Sequence, residues 1–135
     1  MSRATGYPGY SEMLPGLEQS AVGARRLVRT ALSAWQLDEL NDDGLVLVSE
    51  LVANAVKHTS SHLIRVVVSR PCDRRVRIGV SDTSTAMPRL HDSNGDNLPT
   101  SGRGLLLIEA LTDRWGTDLR TWGKHVWGEL TMGET

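Results

Sequence analysis

The chain has 135 residues, with 15 basic and 16 acidic side chains and a formal net charge of −1. That is the size of one domain with a single continuous core, and the charge balance gives no bulk attraction for nucleic acid or a membrane surface. One cysteine, Cys72, excludes an internal disulfide, and with no signal-like N-terminus and no apolar run near the ~20 residues of a membrane span, a soluble cytoplasmic protein is expected.

Residues 1–16 are rich in Gly, Pro, Ser and Tyr. Positions 1–9 read as a tail and 10–135 as one domain, with at most a short strand around Tyr10–Leu14. Residues 18–35 place Val22, Leu27 or Val28, Ala31, Leu32 and Trp35 at helical spacing. Asn41, Asp42 and Asp43 supply a cap and first-turn acids for a second helix running to about His58. Its apolar stripe is Leu45, Val48, Val52 and Ala55/Val56. Glu50 and Asn54 lie off that stripe, on a neighbouring face with Leu47 and Leu51.

The period then changes. Leu63–Ser69 and Arg75–Asp82 are β-branched and partly alternating, and Pro71-Cys72-Asp73-Arg74 between them suits a hairpin. Thr83 to Ser101 is a long polar loop, of a length that often belongs to a functional lid. Gly104–Arg114 reads as a third helix. Trp115–Arg120 and His125–Thr131 form a second hairpin turning at Trp122-Gly123-Lys124. With no Phe in the chain, aliphatic side chains must fill most of the core. About three helices on a mixed, mostly antiparallel sheet give an α+β fold, a two-layer sandwich.

Three groups of residues could carry chemistry. Glu50 and Asn54, at i and i+4, project side by side from one helix. An amide oxygen beside a carboxylate suits magnesium, which takes hard oxygen donors and keeps several waters. The carboxylate could also orient or deprotonate an attacking hydroxyl; a solvated face or a hydrogen-bonded pair is the plainer alternative. Gly102-Arg103-Gly104 opens a helix whose free N–H groups and dipole favour phosphate, though flexible glycines also serve ordinary turns. Asp82 ends an apolar strand, where a carboxylate can accept from the exocyclic amine of adenine or simply cap a loop. The four histidines have no metal-ligand spacing.

Taken in order, SELVANAVKH, the strand ending at Asp82, the lid-like loop, SGRGLLLIEALTDRWG and GKHVWGEL resemble the GHKL ATPases of the Bergerat fold. Within them the chain is similar to the anti-sigma-factor serine kinases of the RsbW type, over roughly residues 10–131. The resemblance implies that Asn54 binds Mg²⁺ and that Glu50 is the base or water-orienting carboxylate. It implies adenine recognition by Asp82 and a lid over the phosphates at Ser101, Gly102, Arg103, Gly104 and Leu105. It also implies ATP as ligand, a sigma factor and a STAS-type anti-anti-sigma protein as partners, and a homodimer. Two departures stand out. The glycines expected after the adenine-binding Asp are replaced by Thr83-Ser84-Thr85-Ala86-Met87-Pro88. His125 stands where a late Thr often assists adenine binding. The alternatives are a non-catalytic ATP-binding module whose nucleotide state gates partner binding, and a scaffold that binds no nucleotide.

Overall fold

In this computed structural model the described residues are 9–58, 63–82, 106–120 and 123–133. Strand β1 (Tyr10–Pro15) leads into helix α1 (Ser20–Ala34), a single 3-10 turn (Asp38–Leu40) and helix α2 (Asn41–His58). Strands β2 (Leu63–Cys72) and β3 (Arg75–Asp82) follow. A short helix α3 (residues 106–111) precedes strands β4 (Arg114–Arg120) and β5 (Gly123–Thr131). The sheet order is β1-β2-β3-β5-β4 and every pairing is antiparallel, so the expected mixed sheet has no parallel pair among the described residues.

Alternation decides what the sheet buries. Ile64, Val66 and Val68 of β2, Val76, Ile78 and Val80 of β3, and Val126 and Leu130 of β5 point to one face. Helices α1 and α2 cover that face with Ala24, Val28, Ala31 and Leu32, and with Leu47, Val48, Leu51, Val52 and Ala55. A side chain carbon added at Gly128 of β5 would meet Leu47 of α2 at 3.2 Å, which fixes the side on which the helices lie. The buried stripe of α2 is wider than the sequence spacing suggested. Leu47 and Leu51 are fully buried because α2 is flanked by α1 as well as by the sheet. Val22, expected on the stripe of α1, is exposed, because the buried line runs through Ser20, Ala24 and Val28 instead.

Helix α1 ends in a Schellman motif. The Leu37 N–H reaches the Leu32 carbonyl at 2.8 Å and the Gln36 N–H reaches Ser33 at 3.1 Å. Leu37 and Leu32 are both buried, supplying the apolar contact of that motif. The motif needs a left-handed residue, and Gln36 takes it at φ 60° without being glycine. Gln36→Gly is therefore expected to stabilise the chain by about 1 kcal/mol, read as a higher urea midpoint at unchanged slope.

Both hairpins are tighter than expected. β2 runs on through Pro71 to Cys72, with a register shift between Ser69 and Cys72 that accommodates a residue with no N–H. Gly123 and Lys124 belong to β5 rather than to the second turn. Helix α3 stops before Thr112, whose N–H bonds Ile108, because the next amide, Asp113, already bonds the Glu129 carbonyl of β5. Arg114, expected at the end of that helix, is the first residue of β4. The expected Thr83–Ser101 loop lies outside the described residues.

Candidate functional site

Helix α2 carries Glu50 and Asn54 one turn apart, both half-buried and bordered by the buried Leu47, Leu51 and Ala55. They sit where the helix surface leaves the core. A fully solvated face would expose them, and a core pair would hide them; a rim position can meet a ligand. Because α2 packs on β3 and β5, the pair lies in the helical layer on the covered side of the sheet.

Asp82 closes β3 on that same side. It follows Ile78 and Val80 in the inward alternation and is 1% exposed. Its cross-strand neighbour on β5 is Lys124, 5% exposed, whose Nζ donates to Asp82 Oδ2 at 2.8 Å. A buried carboxylate is tolerated only when a cation or several donors compensate it, and Lys124 supplies the compensation. The pair also fixes the direction of the carboxylate.

The sequence expectation puts His125 in the place of a late Thr that assists adenine binding. The pleat places it elsewhere. Val126 points inward, so Lys124 does too and His125 points to the opposite face. There His125 Nδ1 lies 2.6 Å from Ser81 Oγ. The imidazole covers Gly79, where a Cβ would come within 2.5 Å of the ring; only a glycine lets the ring lie so close. Lys124 is thus the residue that sequence reasoning missed. The signal was present, since counting back two from the apolar Val126 gives position 124.

Ser101, Gly102, Arg103, Gly104 and Leu105 lie outside the described residues. Among the described residues no three His, Cys, Asp or Glu side chains gather as a metal-binding group. Nor is any described helix long and apolar enough to cross a membrane. The structure thus brings an acid–amide pair on a helix rim and a lysine-fixed carboxylate at a strand end to one side of one sheet. The first can serve a cation and an attacking hydroxyl, and the second a hydrogen-bond donor on a flat heterocycle.

The family model for the histidine kinase-like ATPase domain matches residues 14–127, a span that includes Glu50, Asn54, Asp82, Lys124 and His125. Among solved structures, the RsbU and RsbW domains of Rv1364c from Mycobacterium tuberculosis superpose with a TM-score of 0.70 at 21% identity. The alignment covers 95% of this chain and 33% of that one, so the chain spans about a third of its length. At that identity the likeness is one of fold. No curated protein sequence matches the chain.

Proposed function

The chain belongs to the histidine kinase-like ATPase family, and from that premise we propose that it is an ATP-binding regulatory protein that acts as an anti-sigma-factor serine/threonine kinase. The observation that carries this is the placement of the Glu50–Asn54 rim pair and the buried Asp82 on the same side of the sheet, within the matched span. Asp82, oriented by Lys124, accepts the exocyclic amine of adenine. The Asn54 amide offers a hard oxygen of the kind magnesium takes, alongside water and phosphate oxygens. The family resemblance assigns the phosphates to Ser101, Gly102, Arg103, Gly104 and Leu105, which lie outside the described residues.

Glu50 then accepts the proton of a serine or threonine hydroxyl on a partner as its oxygen bonds the γ-phosphorus and the bond to the β-phosphate oxygen breaks. Transfer of this kind is mostly positioning and charge neutralisation, so one carboxylate and one cation suffice. The partner that fits is a STAS-type anti-anti-sigma protein, with a sigma factor as the protein sequestered, in the cytoplasm and with the chain as a homodimer. The family resemblance motivates these partners, and a solved structure of like fold carries a domain named RsbW.

A nucleotide thermal-shift series tests the binding step. ATP with Mg²⁺ at one hundred times its Kd stabilises a folded state by about 2.7 kcal/mol, which for a chain of this size raises Tm by roughly 10 °C. GTP should leave Tm nearly unchanged, since a carbonyl replaces the amine that Asp82 would accept. An unchanged Tm with saturating ATP sinks the proposal.

One observation favours the second reading, a non-catalytic module gated by nucleotide. The glycines expected after the adenine-binding acid are absent, as residues 83–88 read TSTAMP. Tight ATP binding by calorimetry with no label transferred from γ-labelled ATP to a STAS-type partner would select it.

A further inference from the structure

The face of the sheet opposite the helices carries a charge cluster that the nucleotide site does not use. Outward positions of three strands bring Arg75 and Arg77 of β3, Arg114 of β4 and Glu129 of β5 together. Arg77 Nε donates to Glu129 Oε2 at 2.8 Å, and Arg114 Nε to Oε1 at 3.1 Å. Arg75 Nε lies 4.0 Å from the same carboxylate and donates to Thr131 Oγ1 at 3.2 Å. Glu129 is only 1% exposed although no described element covers this face, and three arginines are ranged about its carboxylate.

One carboxylate under three guanidinium groups leaves a local excess of two positive charges. The arginine side chains remain 36–59% exposed, so the excess faces water. Arg65 of β2 adds another exposed cation on this face, and Asp118 of β4 is the other acid at its described positions. Two of the guanidinium groups are also held in place. Arg77 lies 4.2 Å and Arg114 5.6 Å from the centroid of the Trp127 ring. Each guanidinium has five N–H donors, more than Glu129 can accept, and a stacked, ion-paired fork loses little further freedom on binding a second carboxylate.

We propose that this outer face docks an acidic surface segment of a partner protein, with Arg75, Arg77 and Arg114 as its carboxylate receptors. Three points select that occupant. The cations lie on the open face of a sheet, which fits a macromolecular surface. A second copy meeting through the same patch would set like charge on like charge, which disfavours a symmetric pair. Exposed Met13 and Leu63, at 46% and 45%, form an apolar margin on the same face, which suits a protein better than a sugar–phosphate chain. The proposal stands apart from the nucleotide site, because the outward face is the one Asp82 and Lys124 do not share.

The test is a titration of the ¹⁵N-labelled full chain with a hexaglutamate peptide, followed by amide and indole N–H shifts, beside hexalysine and a ten-nucleotide oligothymidine. Expected are saturable shifts at outward residues of β3, β4 and β5 and at the Trp127 indole, fading between 50 and 500 mM salt. Arg75→Gln should weaken binding roughly two- to fivefold. Arg65→Gln, whose side chain is outside the Glu129 cluster, should weaken it less, which keeps the result independent of any folding defect. Absence of shifts, equal shifts with hexalysine, shifts confined to the helical side or tighter binding of oligothymidine would overturn the proposal. So would contacts from residues 1–8, or from a second copy, already seated on the Trp127 indole in the free protein.

Discussion

Lys124→Met is expected to lower the stability of the folded chain by about 3–5 kcal/mol, the cost of leaving one partner of a buried ion pair behind. Asp82 and Lys124 are 1% and 5% exposed and their bond is 2.8 Å long. The residues before and beside them on the same face, Val80, Val126 and the cross-strand Ile64, are apolar and buried. Methionine keeps the length and much of the volume of lysine, so cavity formation adds little and the loss isolates the charge. A domain of ordinary stability, about 5–15 kcal/mol, would come close to unfolding. Urea unfolding measures the change, with a lower midpoint at unchanged slope. The double variant Lys124→Met with Asp82→Leu should recover most of the loss, because an apolar pair replaces an ionic one without an orphaned charge. A cost under about 1 kcal/mol for Lys124→Met would show that water reaches the pair and that Asp82 is not held as described. The single variant should also weaken ATP binding, so affinity is best compared at a temperature where both proteins remain folded.

Helix α2 was legible in the sequence because three local signals agree. Asn41, Asp42 and Asp43 mark its start, apolar residues recur at helical spacing, and no glycine or proline interrupts it after Gly44. Strand β3 was legible for the same reason, and its end at Asp82 fell where expected. What the sequence hid was mutual position. Nothing local says that Lys124 faces Asp82, or that Glu129 gathers arginines from two neighbouring strands; both follow from the antiparallel register. Arginines alternating along a strand read as a solvated edge until the pairing puts a carboxylate among them. Pro71 misled in another way. A proline argues against a strand interior, yet the register shift after Ser69 lets β2 continue past it. At the candidate site, residue type and spacing single out Glu50, Asn54 and Asp82 as candidates, and the structure sets the three on one side of the sheet. Matching a motif position points to His125, whereas the pleat, counted back from the inward Val126, points to Lys124.

Glu50→Gln is expected to reduce phosphotransfer to a STAS-type partner at least about 100-fold while ATP affinity stays within roughly threefold. A general base contributes about 10²–10⁴-fold, and glutamine keeps the shape of glutamate without its capacity to take a proton. Asn54, one turn along α2, should give the opposite pattern. Asn54→Ala removes an amide oxygen, so the Mg²⁺-dependent part of ATP binding falls first and transfer falls with it. Both side chains are half-buried on the helix rim, so neither change should disturb the core formed by Leu47, Leu51 and Ala55, and Tm without nucleotide should move little. Single-turnover transfer from γ-labelled ATP, paired with calorimetry, separates the two effects. Undiminished transfer by the Glu50 variant would remove that residue from the chemistry and leave its place beside Asn54 a matter of helix surface alone. If the unaltered chain binds ATP tightly and still transfers no label, the substitution has nothing to reduce, and the rim pair would serve a nucleotide-gated contact in which Asn54 matters more than Glu50.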